Sequence, residues 1–199
     1  MSYLFRFAVL ASLVAGVAWW QPWRQFTDSL HREPGFREHV TDEYRLAYPS
    51  EWTTVRKRDR QGTFWEEFNG PATENGAYSG QARVAAWTRW PYQLQDKLVQ
   101  YRASAGRNGY RILKEERIVV KGAVAAHRFE VAQQTRTATG ALVPLRGTET
   151  FALTADHILV DLSVRAPEKD YGTTRLPQIL ASFEVRQAPN GLIDKVKNG

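Results

Sequence analysis

Cysteine is absent from this 199-residue chain. That excludes disulfides, thiolate nucleophiles, cysteine-ligated zinc and a lipidated cysteine behind an N-terminal apolar run. Any attachment to a membrane therefore falls to a helix itself. The chain also lacks the G-x-S-x-G elbow of the common α/β serine hydrolases. It has neither a phosphate-cradling P-loop nor a dinucleotide fingerprint. No ladder of alternating aromatic and basic residues occurs, so nucleic-acid binding is not expected. No internal repeat is found.

The charged residues are present in both signs. Lys and Arg total 27 against 21 Asp and Glu, a net charge of +6. The excess is spread along the chain and favours a position near anionic lipid. Its densest run contains Arg56, Lys57, Arg58 and Arg60. Such a run reads first as a solvated hairpin arm, and second as a basic arm near a membrane surface.

Residue types suited to catalysis occur without a usable arrangement. Glu66-Glu67 and Glu115-Glu116 are paired carboxylates, but neighbours on a strand point to opposite faces, so neither makes an acid/base pair. The histidines are His31, His39, His127 and His157. A metal site from His127, Glu130 and His157 is conceivable by residue type. His127 and Glu130 nevertheless fall on opposite faces of one strand. No metal, cofactor or catalytic residue is therefore expected, and an enzyme using His127 or His157 is the weakest reading.

One long apolar run is present, and it sets the compartment. Residues 7–20 are interrupted only by Ser12. As a helix, residues 3–20 would rise about 27 Å at roughly 1.5 Å per residue, close to the ~30 Å of a hydrocarbon core. A buried core helix usually keeps a polar stripe, and this one has none. Trp19, Trp20 and Trp23 gather at its end, where amphipathic rings settle at a headgroup interface. Residues 1–23 are expected to be a retained single-pass anchor in the inner (cytoplasmic) membrane, with a cleaved signal peptide as the alternative. Because the short segment ending in Arg6 resembles a signal n-region, the rest of the chain is expected to be extracytoplasmic. Cleavage would leave it periplasmic or secreted.

Behind this segment, residues 24–41 read as a tether, 42–187 as one globular domain and 188–199 as a polar tail. About 160 residues suffice for a single core. Residues 44–48 alternate with period two, a half-buried strand, and Trp52 reads as a plug at its end. Residues 55–60 and 63–68 flank Gln61-Gly62 as a hairpin. Residues 69–80, rich in Asn, Gly, Pro and Ser, form a long loop. Residues 81–90 read as a strand carrying Trp87 and Trp90 on opposite faces, so both faces are covered. Pro91 suits the first turn of a helix, in which Leu94, Leu98 and Tyr101 recur at helical spacing. Strands follow at 110–120 and 123–131 around Lys121-Gly122, and at 145–153 and 157–165. The Thr-rich stretch up to Gly140 is open between strand and loop. Residues 173–183 form a helix with Pro177 in its first turn, and 183–185 turn into a last short strand. Antiparallel strands with helices inserted at two points make an α+β domain, a central antiparallel sheet flanked by helices.

Three stretches carry a resemblance. Tyr44-Arg45-Leu46-Ala47-Tyr48-Pro49-Ser50-Glu51-Trp52 looks like the opening strand of the Mog/PsbP-like superfamily, which includes the DcrB-like bacterial envelope proteins. The turn Gly122-x-x-Ala125 and the closing Leu176-x-x-Ile179-Leu180-x-Ser182-Phe183-x-Val185 are similar to that superfamily's usual ending. The resemblance covers residues 44–185. It implies an accessory, assembly or binding role without a shared catalytic centre.

Aromatic residues supply the remaining candidate surface. Trp65, Tyr78, Trp87, Trp90 and Tyr92 cluster in sequence around one hairpin and one loop. Aromatics dominate cores, yet exposed ones anchor partners. The expected function is thus a membrane-tethered, non-enzymatic module that binds an envelope or membrane protein. The alternative is a lipid- or small-ligand-binding domain with a pocket lined by Trp87, Leu94 and Leu98.

Overall fold

The computed structural model describes residues 35–58 and 63–186. The chain divides into two compact units, Met1–Phe36 and Arg37–Gly199. The second contains the described helices and, but for Phe36 at the start of the first strand, both sheets. The expected anchor at 1–23, most of the tether, the hairpin turn at Gln61-Gly62 and the tail at 188–199 lie outside the described residues. Among the described residues, no helix is long and apolar enough to cross a membrane.

Two sheets are present. β1 (Phe36–Val40), β2 (Tyr44–Pro49) and β10 (Glu184–Val185) form a small sheet in the order β1-β2-β10. The larger sheet contains β3 (Thr53–Arg58), β4 (Phe64–Asn69), β5 (Gln81–Trp87), β6 (Tyr110–Ile118), β7 (Ala125–Arg136), β8 (Leu142–Leu153) and β9 (Leu159–Pro167). Its order is β3-β4-β5-β9-β8-β7-β6, antiparallel throughout. β1 falls inside the stretch expected to be a tether. Its sequence FREHV has too little alternation to announce a strand, and pairing with β2 supplies what the pattern lacks. The open Thr-rich stretch resolves as strand: β7 runs to Arg136, and Gly140 turns the chain at φ +84° into β8.

The helices cover opposite faces. α1 (Leu94–Ala105) buries Leu94 and Leu98 against Phe129, Val131, Phe151, Leu153 and Leu159, with Tyr101 packed beside them. The interior that a ligand would need beside Trp87, Leu94 and Leu98 is therefore filled by these side chains. α2 (Leu176–Ser182) and the small sheet cover the other face with Leu46, Leu176 and Ile179 over Phe68, Val84, Leu162 and Val164, all essentially buried. Ser182 Oγ accepts the Ala47 N–H at 2.9 Å, joining α2 to β2.

Two local expectations are corrected. Pro91 precedes α1 instead of sitting in its first turn. The helix starts at a capping box in which Gln93 is the N-cap and Asp96 Oδ2 accepts the Gln93 N–H at 2.9 Å. The strand expected over 81–90 ends at Trp87. Arg89, at φ +61°, turns the chain so that Trp90 joins Trp87 on one face, ring centroids 6.1 Å apart. The Trp90 N–H then donates to the His157 carbonyl at 2.7 Å, and His157 itself holds φ +59°.

Trp52 is the expected plug. It is buried against Gly70 and Gly80, where an added Cβ would come within 3.0 and 2.9 Å of the indole. Two of the stretches that carry the resemblance, the Gly122 turn and the closing segment, meet in space. Gly122, at φ +85°, lies under β10, so that a Cβ there would collide with the Val185 carbonyl oxygen. The Val185 N–H donates to the Lys121 carbonyl at 3.0 Å. Gly109 has φ +75° but nothing within 4 Å of a Cβ.

Gly122→Ala combines left-handed strain with displacement of β10, and is expected to lose roughly 3 kcal/mol or more. Gly109→Ala is expected to lose only about 1–2 kcal/mol. Urea unfolding of both variants checks this. Equal losses would mean that the seating of Val185 on the turn contributes nothing.

Candidate interaction groove

The larger sheet alternates side chains between two faces. On the α2 side, Phe64, Glu66, Val84 and Ala86 form the floor of a groove of about 750 Å³. One wall comes from the small sheet, Val40 to Tyr44, and the other from Arg56 of β3, with Arg186 at the end. Phe64 and Val40 are large apolar residues left 45% and 52% exposed. The Arg56 and Arg58 guanidinium carbons lie 4.9 and 4.8 Å from the Phe64 ring centroid, the geometry of cation–π attraction.

The floor holds one tightly bonded polar cluster. Glu66 Oε2 lies 2.6 Å from His39 Nε2 and also accepts the Tyr44 hydroxyl. The Tyr44 hydroxyl is pushed well above the usual tyrosine range, by burial first and by its bond to Glu66 second. It is thus a fixed donor and has no tendency to ionise. His39 in turn lies against both Tyr44 and Phe68, with ring centroids 5.7 and 5.2 Å apart. The cluster makes a rigid seam between the two sheets.

The structure separates the expected basic arm. Arg56 and Arg58 face the groove, while Lys57 projects from the other face and pairs with Glu67 at 2.7 Å. Burial raises the Glu67 carboxyl, but bonds from Lys57 and from Trp65 Nε1 outweigh it and hold the group below its usual range. Arg60 lies outside the described residues. Glu66 and Glu67 do face opposite ways, each with its own partners, as the strand pattern requires.

The expected aromatic surface is divided too. Trp65 and Trp87 border the groove only along the strands, because their side chains project from the α1 side. There Trp87, Trp90 and Tyr92 run as a chain of rings, with centroids 6.1 and 5.5 Å apart. Lys97 Nζ of α1 sits 4.6 Å from the Trp87 centroid. Trp87 and Trp90 pack against the hydrophobic core, so they cap it beside α1. Tyr78 stands apart, in the loop at the Asn69–Gln81 end of the sheet, bridged to Ala72.

A buried charged cluster lies under α1, and no sequence motif announced it. Glu149 of β8 and Asp161 of β9 are diagonal cross-strand neighbours, both nearly fully buried. Ser163 Oγ and Arg165 Nη2 donate to Glu149 Oε1 at 2.9 and 2.6 Å. The Asp161 carboxyl is pushed up to about 7, by burial first and by Glu149 second, against the opposing pull of Arg83 and Lys97. Burial also raises Tyr101 of α1, with Glu149 and Asp161 adding to it. In sequence Asp161 and Glu149 sit twelve positions apart, Asp161 between Val160 and Leu162 and Glu149 between two threonines, and only the β8–β9 register joins them. Beneath a filled helix–sheet interface, this cluster belongs to the interior.

His127 and His157 do not meet as ligands. His127 lies against Phe129 and is held below its usual range by burial, with Glu115 at 3.8 Å. His157 Nδ1 lies 3.2 Å from the Trp90 carbonyl oxygen. Among the described residues, no group of three His, Asp or Glu side chains could hold a metal ion.

No protein-family model matches the chain, and no curated protein sequence matches it either. Solved structures do. Cyanobacterial PsbP from Synechocystis sp. PCC 6803 is 15% identical, covering 77% of this chain and 94% of its own, with a TM-score of 0.55. LpqN of Mycobacterium tuberculosis, described as involved in cell envelope biogenesis, is 14% identical over 79% of this chain and 88% of its own, TM-score 0.48. The Ran-binding protein Mog1p of Saccharomyces cerevisiae is 13% identical over 75% and 95%, TM-score 0.46. The likeness to PsbP shows that the chain has the PsbP-like fold, as the opening and closing stretches suggested.

Because Asp161 holds its proton more tightly folded than unfolded, its contribution to stability is present at low pH and fades as pH rises through about 7. Asp161→Asn mimics the protonated acid. Its melting temperature is expected to match the parent near pH 4 and to exceed it by at least about 4 °C at pH 8. A difference that stays constant with pH would overturn the assignment of the buried proton to this pair.

Proposed function

We propose that the chain is a non-enzymatic accessory module, tethered to the inner membrane by residues 1–23, whose extracytoplasmic domain holds a partner protein in the groove between its two sheets. The Mog/PsbP-like fold is compatible with an accessory module. The observation that carries the reading is Phe64, an exposed aromatic ring flanked by two arginines over a 750 Å³ groove. Aromatic and arginine side chains are the residues most often found as binding anchors.

The groove also limits what kind of partner fits. Arg56, Arg58 and Arg186 line or rim it, and the whole chain carries +6. β3 is the edge of the larger sheet and is exposed at every position. Its arginines and lysine repel a second copy of this chain, which is how natural edges avoid self-pairing. They favour an acidic segment with an apolar side chain to set on Phe64. The partner is thus an envelope or membrane protein offering an acidic, partly apolar extended segment.

A photo-crosslinking residue at position 64 of the full-length chain, expressed in cells, is expected to capture one defined protein. The double substitution Arg56→Glu, Arg58→Glu is expected to reduce that capture at least tenfold, about 1.4 kcal/mol, without lowering expression. The same probe at Leu113, exposed on β6 at the opposite edge, serves as the control. Equal capture at positions 64 and 113, or capture unaffected by charge reversal, would sink the proposal.

A further inference from the structure

A second concavity lies under α2, away from the groove. It holds about 290 Å³ and is lined by Val119, Val120, Arg128, Thr150, Leu180 and Phe183, with Lys121 and Glu184 at its rim. Two polar groups in its wall stand out. Thr150 is only 1% exposed, and its Oγ1 has no hydrogen-bond partner. Arg128 Nε is likewise buried without a partner. The two residues are directly opposite each other on β7 and β8, on the same face.

Buried polar groups are nearly always paired, and an unpaired one in a cavity wall asks for an explanation. The neighbouring carboxylates make their direct bonds to lysines, although Glu116 feels the charge of Arg128. Glu116 stands opposite it on β6, but the Glu116 carboxylate is bonded to Lys114 at 2.7 Å. Glu184 is bonded to Lys121 at 2.9 Å. Among the described residues, no carboxylate lies within ion-pair distance of Arg128. A guanidinium and a hydroxyl side by side form a receptor for one carboxylate: the guanidinium presents its N–H donors and the hydroxyl adds a further one. The rest of the wall is apolar. Val119, 98% exposed at the mouth, has no packing role within the fold.

We infer that the cavity between α2 and the β6–β7 turn binds a small monocarboxylate with an apolar body, its carboxylate on Arg128 and Thr150 and its chain against Val119, Val120, Leu180 and Phe183. The volume is about ten times the ~30 Å³ share of a water molecule, so it takes roughly ten non-hydrogen atoms. This is the low end of small-ligand sites. The site is independent of the Phe64 groove and stands or falls without it. It also sits on the contact between β10 and the Gly122 turn, so occupancy would brace the closing strand.

The test uses the purified full chain and hexanoate as probe, with hexanamide and acetate as comparisons. Titration calorimetry and amide chemical shifts are the readouts. Hexanoate is expected to bind and to shift the amides of Val119–Gly122 and Ala181–Val185. Hexanamide, without the charge, and acetate, without the body, are each expected to bind at least tenfold more weakly. Arg128→Gln is expected to weaken hexanoate by at least tenfold. Thr150→Val separates ligand binding from structure: it removes an unpartnered buried hydroxyl at constant shape, so the ligand-free protein keeps or gains melting temperature while hexanoate affinity falls. No binding of hexanoate at millimolar concentration would overturn the proposal. So would equal binding of hexanamide, or unchanged affinity in both variants.

Discussion

The rest of the structure depends on the covering of both faces of β8 and β9. β9 is buried at every position except Arg165, and β8 is buried from Gly147 to Leu153. A strand covered on both sides cannot place polar residues in water at alternate positions. Any polar group on it must be accommodated inside. Glu149, Asp161 and Ser163 are such groups: Ser163 and Arg165 bond Glu149, while Arg83 and Lys97 act on Asp161. The same constraint explains the two helices. α1 closes one face with Leu94 and Leu98. α2 closes the other with Leu176 and Ile179.

Sheet edges and seams are where the fold leaves surface for binding. The central strands are committed to the core, so β3 at one edge and the junction of the two sheets are what remains. The groove lies there, walled by Val40 to Tyr44 and floored by β4 and β5. Its polar seam, Glu66 with His39 and Tyr44, holds the small sheet against the large one. The smaller cavity has the same origin. It lies where α2 ends and the β6–β7 turn meets β10, a corner that Gly122 allows by having no side chain.

The charges of the hairpin arm show how one short run divides its work. Arg56 and Arg58 lie over Phe64 on one face, while Lys57 neutralises Glu67 on the other. Along the chain, Arg56-Lys57-Arg58 is a single basic patch. Folded as a strand, it is two groove-facing residues and one structural ion pair, because alternation sends neighbours to opposite sides. The aromatic cluster divides in the same way. Trp87 and Trp90 looked like residues of opposite faces, and the left-handed Arg89 brings them together as a cap beside α1.

Elements whose pattern is local were legible in the chain before any folding. The alternation of 44–48, the helical spacing of Leu94, Leu98 and Tyr101, Pro177 at the start of α2 and the Gly122 turn all appear where the pattern puts them, because period and turn chemistry act between near neighbours. The α+β class and the resemblance carried by residues 44–52 and 176–185 followed from the same signals. Features that join residues far apart in the chain came from the folded domain and from nothing short of it. The strand character of 36–40 comes from pairing with β2. The meeting of Glu149 with Asp161, of Arg128 with Thr150 and of Phe64 with Val40 comes from strand register and layer packing. Local pattern says which residues can form a strand, but which strands become neighbours is settled by burial across the whole domain, and every candidate site in this protein is built between strands or layers.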